Sequence, residues 1–221
     1  MREIGFMIDG SEFTYDVREL PLEFVKWQCE SRKALLQLMI DGEAIFTGFG
    51  AHLPVMTTKS ESGDFPTNSA AKGVGLLPRP ELLEELIERL RELEDEAPLR
   101  KERVPKRSVQ FLIEFYSDMK KIDTTLLGSL EIYGKNTFRN VKKDPRVNLL
   151  YVDVHKGGLS YMVNTVVEIV DHDNPYYEFI RLVHDLFHRP LKKRQYSCAY
   201  LFHICEVYDK SPGKNAGNRL I

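Results

Sequence analysis

The chain has 221 residues, of which 43% are hydrophobic and 29% charged, a composition typical of folded globular proteins and unlike that of disordered or fibrous ones. Its formal net charge of −2 argues against a protein built to bind nucleic acid or an acidic membrane. Charges interrupt every apolar stretch before the roughly twenty residues that a membrane span needs. The N-terminus lacks the pattern of a secretory signal, so we expect a cytoplasmic protein.

The first forty or so residues predict a hairpin, a helix and a strand. Asp9-Gly10 separates two apolar runs and favours the type I′ turn of a β-hairpin. Pro21 is typical of the first turn of a helix, and apolar residues after it follow a roughly helical spacing. The run ALLQLMI at 34–40 favours a strand, so we expect the helix to be short.

A second Asp-Gly pair predicts a second hairpin. Asp41-Gly42 follows the strand-like run directly. Apolar residues return after the pair at Ala44, Phe46 and Phe49. This arrangement is typical of two strands joined by a tight turn.

The segment 51–80 is rich in Gly, Pro, Ser, Thr and Lys. It is too long for an ordinary connection between packed elements, so we interpret it as either a functional lid or a disordered loop. If it is a lid, its anchors are expected among its few large apolar side chains, Phe65, Leu76 and Leu77.

A charged amphipathic helix is predicted over 81–96, because leucine and isoleucine recur there at helical spacing between flanking prolines. Its apolar stripe needs a partner, either the rest of the chain or a second subunit. The basic segment 100–107 is interpreted as an exposed linker. We therefore predict one domain, 1–221, that contains an insertion at 51–107.

From Val109 onward the pattern is mostly β. Strands are predicted for VQFLIEFY at 109–116, LLGSLEIYG at 126–134, VNLLYVDV at 147–154, LSYMVNTVVEIV at 159–170 and SCAYLFHICEVY at 197–208. Asp173-Asn174-Pro175 opens the helix expected between the last two strands. This α+β pattern suits a small closed barrel better than a doubly wound sheet.

The segment 131–154 carries the clearest functional signal. Within 135–146 five residues are basic and one is acidic. Asn136 or Thr137 is expected to cap a short helix that must stop near Pro145, which leaves free backbone N–H groups at the helix N-terminus. Backbone amides, a hydroxyl and charged side chains together would bind a phosphate there.

The sequence GKNTFRNVKKDPRVNLLYVD at 134–153 resembles the segment with which FMN-binding split-barrel proteins, the pyridoxamine 5′-phosphate oxidase-like superfamily, hold the FMN phosphate. The segments 157–180 and 206–217 also resemble that family. The resemblance implies an α+β fold, a split β-barrel of the FMN-binding type, with an N-terminal hairpin and helix region and a helical insertion. It predicts cofactor binding by Lys135, Asn136, Thr137, Arg139, Asn140 and Lys143.

The same resemblance implies FMN as the cofactor and a homodimer with FMN between the subunits. We predict an oxidoreductase that uses a reduced nicotinamide or a related donor and acts on a small molecule; no catalytic residue is identified. The alternative is a non-catalytic module that holds a flavin or haem for storage, sensing or protein interaction, with the helix at 81–96 as its docking surface. An RNA-binding role for KNTFRNVKK fits poorly with the acidic net charge.

Other candidate residues favour structural roles. His184 and His188 are four residues apart on the predicted helix, but no third ligand is evident, so we assign no metal. The three cysteines lack a CxxC spacing and are interpreted as core residues. Trp27 could stack on a flavin, but a lone Trp is more typical of a core or an interface.

Overall fold

The computed structural model describes residues 2–43, 50–60, 62–96, 106–188 and 196–221. Within them the chain forms nine strands and five α-helices, so the predicted α+β class is confirmed. The strands are β1 Arg2–Ile8, β2 Ser11–Val17, β3 Val55–Lys59, β4 Thr67–Ala71, β5 Gly75–Pro78, β6 Ile122–Glu131, β7 Arg146–Asp153, β8 Leu159–Val170 and β9 Cys198–Asp209. The helices are α1 Leu22–Asp41, α2 Leu83–Glu96, α3 Lys106–Ser117, α4 Asn136–Lys143 and α5 Pro175–His188. None of these helices has the length and hydropathy needed to cross a membrane.

Seven strands form one antiparallel sheet in the order β4-β3-β7-β8-β9-β6-β5. The register shifts within the β5–β6 pair and within the β8–β9 pair, and such bulges bend a sheet toward a barrel. A bent antiparallel sheet with helices in an α+β arrangement is the architecture that the sequence resemblance predicts. The strands predicted from residue 126 onward and the helix that begins at Pro175 are all observed.

The N-terminal hairpin forms a separate two-stranded sheet of β1 and β2. Asp9 and Gly10 occupy its turn with φ of 48° and 81°, the left-handed backbone conformation that a type I′ turn requires. The hairpin prediction is therefore confirmed. After β2 the backbone N–H of Arg18 donates to the Ile204 carbonyl of β9 at 2.8 Å, which fixes the hairpin to the main sheet.

An aromatic cluster joins α1 to β7 and β8. The Phe24 ring lies 5.3 Å from the Tyr151 ring and 5.2 Å from the Tyr161 ring, edge to face. Trp27 packs beside them, and its indole N–H donates to the Asp153 carboxylate at 2.9 Å. Trp27 is thus a buried core residue, as its interpretation from the sequence favoured. The three cysteines are also buried and unpaired.

The strand predicted at 34–40 is wrong, because α1 runs unbroken from Leu22 to Asp41. Gly42 ends this helix with φ of 78°, and its N–H bonds to carbonyls of the last turn. A helix C-terminus and a type I′ turn both need a residue with positive φ, so an Asp-Gly pair serves either. The second arm of the expected hairpin, at 44–49, lies outside the described residues.

The segment 51–80 is neither a lid nor a disordered loop, because it contains β3, β4 and β5. Exposed residues of β4 alternate with less exposed ones at the edge of the sheet, and this small, mostly polar strand resembles a loop in composition. Leu76 and Leu77 are each 1% exposed in β5, whereas Phe65 lies between β3 and β4 and is 79% exposed. The boundaries of an insertion at 51–107 stay a prediction.

The strand predicted at 109–116 is also wrong, because these residues belong to α3. Val109, Leu112 and Phe115 are buried at the spacing of one helix face. The helix packs against α1, where the Arg32 guanidinium lies 5.6 Å from the centre of the Tyr116 ring. The high β propensity of this apolar run is overridden by its packing against α1.

Helix α2 confirms the amphipathic helix predicted at 81–96 and shows which surface covers its stripe. The stripe packs against α5 and α3, and its buried residues are Leu83, Leu86, Ile87, Leu90 and Leu93. Arg181 of α5 reinforces the contact with an ion pair to Glu94 of α2 at 2.7 Å. Within α5 it also pairs with Glu178 at 2.8 Å and Asp185 at 3.0 Å. Because the stripe is covered within the chain, it does not by itself indicate a second subunit.

Candidate functional site

The predicted phosphate segment folds as the short helix α4 between β6 and β7. Lys135 is the N-cap residue and provides no side-chain cap, whereas Asn136 and Thr137 are the first two helical residues. The prediction that Asn136 or Thr137 caps the helix is therefore wrong. Gly134, with φ of 60°, turns the chain so that the helix begins directly after Lys135.

Hydrogen bonds, one of them fully buried, connect α4 to the hairpin formed by β3 and β4. The side-chain amide of Asn140, which is 4% exposed, donates to the Thr58 hydroxyl oxygen at 2.9 Å. The Thr58 hydroxyl in turn donates to the Asn68 carbonyl at 3.3 Å. The Asn68 side-chain amide then donates to the Thr137 hydroxyl oxygen at 3.4 Å. This chain of contacts fixes the first turns of α4 against β3 and β4.

A cleft of about 190 Å³ lies between the start of α4 and the end of this hairpin. Most of its lining consists of neutral side chains that form hydrogen bonds, and Asp64 adds a carboxylate. The lining residues are Ser60, Ser62, Gly63, Asp64, Phe65, Thr67, Asn68, Asn136 and Asn140. Pockets that enclose a drug-sized ligand are about 300 to 1,000 Å³, so this cleft has room for part of such a ligand.

The structure brings only some of the six predicted binding residues to this cleft. Asn136 and Asn140 line it, and Thr137 bonds to Asn68 at its wall. Lys135, Arg139 and Lys143 are exposed on or beside α4. Phosphate binding stays a prediction for all six residues: Lys135, Asn136, Thr137, Arg139, Asn140 and Lys143.

Two basic side chains of the segment have partners of their own. The Arg139 guanidinium donates to the Asn136 side-chain oxygen. The Arg146 guanidinium makes two hydrogen bonds to Asp144, at 2.8 and 2.5 Å. Burial would raise the pKa of Asp144, but its bonds with Arg146 outweigh that effect and hold the pKa below its usual value. Arg146 is therefore neutralised by Asp144 at the C-terminal end of α4.

The sequence pattern did not identify the other wall of the cleft. Asn68 and Ser60 line that wall, and Thr58 supports it through its bonds to Asn140 and Asn68. All three belong to or adjoin β3 and β4, within the segment that was interpreted as a lid or loop. The sequences of these strands, VMTTK at 55–59 and TNSAA at 67–71, do not alternate polar with apolar residues. The sequence therefore carried no strand signal for this wall.

His184, the member of the histidine pair whose side chain the structure describes, bonds to neighbouring side chains. The His184 ring nitrogen Nδ1 lies 3.1 Å from the Asp185 carboxylate and 3.3 Å from the Tyr196 hydroxyl. The His188 side chain lies outside the described residues. No group of three or more potential metal ligands is found among the residues that the structure describes.

No protein-family model matches the chain, and no curated protein matches it either. Among solved structures it resembles HupZ of Group A Streptococcus, with 13% identity, 85% of this chain and 98% of that chain covered, and a TM-score of 0.45. It also resembles a protein from Clostridium acetobutylicum related to general stress protein 26, of the pyridoxinephosphate oxidase family, with 13% identity, 89% and 96% covered, and a TM-score of 0.45. An FMN-binding protein from Syntrophomonas wolfei has 10% identity, 87% and 95% covered, and a TM-score of 0.43.

The Clostridium acetobutylicum protein is described as a member of the pyridoxinephosphate oxidase family, and the Syntrophomonas wolfei protein as FMN-binding. The sequence at 134–153 resembles a family described in similar terms. With TM-scores below 0.5 and identities of 13% or less, these matches do not indicate what this chain binds. The function is therefore inferred from the residues of the cleft and of the segment 134–153.

Proposed function

We propose that the chain binds FMN and holds its phosphate in the cleft between α4 and the β3–β4 hairpin. The orientation of two polar side chains is the observation that carries this proposal. The Asn136 side-chain oxygen accepts from Arg139, and the Thr137 hydroxyl oxygen accepts from Asn68. The Asn136 amide and the Thr137 hydroxyl therefore still have hydrogens with which to donate. Phosphate oxygens need such donors.

The electrostatics of α4 support the same proposal. The N-terminus of a helix presents backbone N–H groups and a partial positive charge, which favour an anion. Exposed positive charges are added by Lys135 at that N-terminus, Arg139 one turn later and Lys143 at the C-terminal end of the helix. Asp64 opposes them with one negative charge in the lining. Charge-assisted hydrogen bonds to the phosphate would be stronger than the neutral ones.

A bound flavin supplies electron-transfer chemistry that amino-acid side chains lack. The proposed task of Asn136, Thr137 and Asn140 is to hold and orient it through its phosphate. We infer an oxidoreductase that takes electrons from a reduced nicotinamide or a related donor and acts on a small molecule. This enzymatic part is supported by the resemblance at 134–153 and not by an identified catalytic residue.

A homodimer is part of the proposal, because the cleft can enclose only part of FMN. The isoalloxazine ring would extend beyond about 190 Å³ and needs a further surface to cover it. A second copy of the chain would provide that surface, as the family resemblance implies. Phe65 lines the cleft and is 79% exposed, so it is an apolar side chain that such a contact would bury. Sedimentation equilibrium would distinguish a dimer from a 25.6 kDa monomer.

The test is a fluorescence titration of the purified protein with FMN and, in parallel, with riboflavin, which lacks the phosphate. The proposal predicts that FMN binds at least about tenfold more tightly, as expected for one or two charge-assisted hydrogen bonds. Equal affinities would contradict the phosphate cleft. A tight FMN complex that oxidises neither NADH nor NADPH would support the non-catalytic alternative and contradict an oxidoreductase that uses a reduced nicotinamide.

A further inference from the structure

A buried charged cluster lies at the end of β6, outside the cleft lining. One oxygen of Glu131, Oε2, accepts from the Lys72 ammonium at 2.6 Å and from the Tyr200 hydroxyl at 2.7 Å. The other oxygen, Oε1, accepts from the backbone N–H groups of Tyr133 and Gly134, each at 2.9 Å. Four donors thus share one carboxylate, which satisfies its hydrogen-bonding capacity.

The cluster is charged although it is almost completely buried. The side chains of Glu131 and Lys72 are 3% and 13% exposed. Burial alone would raise the pKa of Glu131, but hydrogen bonds from Lys72 and Tyr200 outweigh it, so the pKa is lowered and the carboxylate is ionised at neutral pH. A buried ion pair seldom stabilises a fold more than apolar residues of the same volume would. Its occurrence at this place suggests a role beyond stability.

The position of the cluster points to that role, because its bonds reach the two elements that flank the cleft, α4 and β4. Gly134, whose N–H is held by Glu131, directly precedes Lys135, the N-cap of α4. Lys72 directly follows β4, the strand that carries Thr67 and Asn68 in the cleft lining. The Glu131 carboxylate therefore connects the entry of α4 to the end of β4 through two short hydrogen-bonded links.

We propose that Lys72, Glu131 and Tyr200 form a positioning site for the anion cleft. The cluster sets the place at which α4 begins relative to β4, and thereby the separation between the Asn136 and Asn68 sides of the cleft. The three residues act through the backbone of Tyr133 and Gly134 and are not themselves ligands of the anion. This inference rests on the proposed phosphate site.

Glu131→Gln is the most direct test, because an amide NH₂ cannot accept a hydrogen bond. The amide can be turned in two ways. In one, its NH₂ group faces the N–H donors of Tyr133 and Gly134; in the other, it faces the donors of Lys72 and Tyr200. We expect FMN affinity to fall by about tenfold or more, whereas riboflavin affinity changes by about twofold at most, because only FMN uses the phosphate cleft. Tyr200→Phe removes a single hydrogen bond and should lower the ratio of FMN to riboflavin affinity by about two- to fivefold.

Asp185→Asn is the matched control, because Asp185 is also a buried carboxylate in an ion pair, with Arg181 of the same helix α5, and lies outside the cleft lining. It should leave the ratio of the two affinities unchanged. A wild-type protein without a preference for FMN would overturn the proposed function itself. A wild-type preference that survives in Glu131→Gln, or an equal loss for both ligands, would overturn the positioning role alone. If Glu131→Gln does not fold, the same ratio in Tyr200→Phe decides between these outcomes.

Discussion

The side-chain amide of Asn140 in α4 donates a hydrogen bond to the Thr58 hydroxyl oxygen in β3 at 2.9 Å, between residues 82 positions apart in the sequence. Both residues are almost completely buried, at 4% and 1% exposed. A buried polar group that loses its partner costs about 1 to 3 kcal/mol. This bond therefore holds the predicted phosphate helix against the opposite wall of the cleft.

Replacing Thr58 with Val tests that bond, because Val keeps the shape of Thr and removes the hydroxyl. We expect the free energy of unfolding, measured in urea, to fall by about 1 to 3 kcal/mol. Thr57→Val is the control, since the Thr57 hydroxyl bonds to Ser69 at an exposed position and should contribute about 0.5 kcal/mol or less. Equal losses in the free energy of unfolding would show that the buried bond stabilises the fold no more than the exposed one.

The carboxylate of Asp64 lies in the cleft lining, where it opposes the binding of an anion. Asp64→Asn should therefore strengthen FMN binding by about two- to fivefold at low ionic strength, and the gain should shrink as salt is added. Riboflavin affinity should not change. Fluorescence titration at two salt concentrations measures both effects, and weaker FMN binding by the variant would contradict an anion in this cleft.

The packing of β5, β6 and α5 depends on the absence of a side chain at Gly128. A Cβ atom there would lie 2.7 Å from the Leu77 Cδ2 atom and 2.8 Å from the Ile180 Cδ1 atom. Both neighbours are core residues, so Gly128→Ala should lower the free energy of unfolding by about 1 to 3 kcal/mol. Gly73→Ala, which meets no heavy atom within 4 Å, is the control. A Gly128→Ala protein as stable as the control would disprove this packing.

Stability should also depend on pH through His52. Burial, with a smaller contribution from the charge of Arg32, lowers the pKa of His52 to about 4, whereas an unfolded histidine has a pKa of about 6.5. Between these values the unfolded chain binds a proton that the folded chain does not. The free energy of unfolding should therefore fall as the pH falls through this window, by up to about 1.4 kcal/mol per pH unit.

Urea denaturation at several pH values between about 7 and 5 measures this dependence, above the range in which most carboxylates titrate. His52→Gln should flatten the slope. His172→Gln should leave it in place, because the His172 side chain is 66% exposed. Identical slopes in the wild type and in His52→Gln would show that His52 is not the group responsible.

The C-terminal half of the fold was predictable because its patterns are local. Segments such as 147–154 and 159–170 alternate polar with apolar residues, or are continuously apolar, for long enough to indicate strands. Pro145 shows where α4 must end. Asp41-Gly42 was interpreted as a hairpin turn but ends α1, because the same positive-φ backbone conformation occurs in a turn and at a helix end. The run at 109–116 misled because its packing against α1, and not its composition, decides that it is helical.

The candidate site was predictable on one side only. The α4 side is a contiguous segment, so Asn136 and Asn140 could be found from their spacing and their resemblance to a known pattern. The opposite side comes from Thr58 and Asn68, which reach α4 only through the pairing of β3 with β7. A contact formed by tertiary pairing leaves no signal in the spacing of residues along one segment.

The central claim is that α4 and its neighbours bind the phosphate of FMN, and a fluorescence titration of wild type against the double variant Lys135→Ala, Thr137→Ala tests it most directly. The double variant removes a charge and a hydroxyl at the start of α4 while leaving the buried Asn140–Thr58 bond in place. We predict that wild type binds FMN and that the variant binds it about 10- to 100-fold more weakly, which corresponds to about 1.4 to 2.8 kcal/mol. Equal FMN affinities in the two proteins, with both folded by circular dichroism, would contradict the phosphate site.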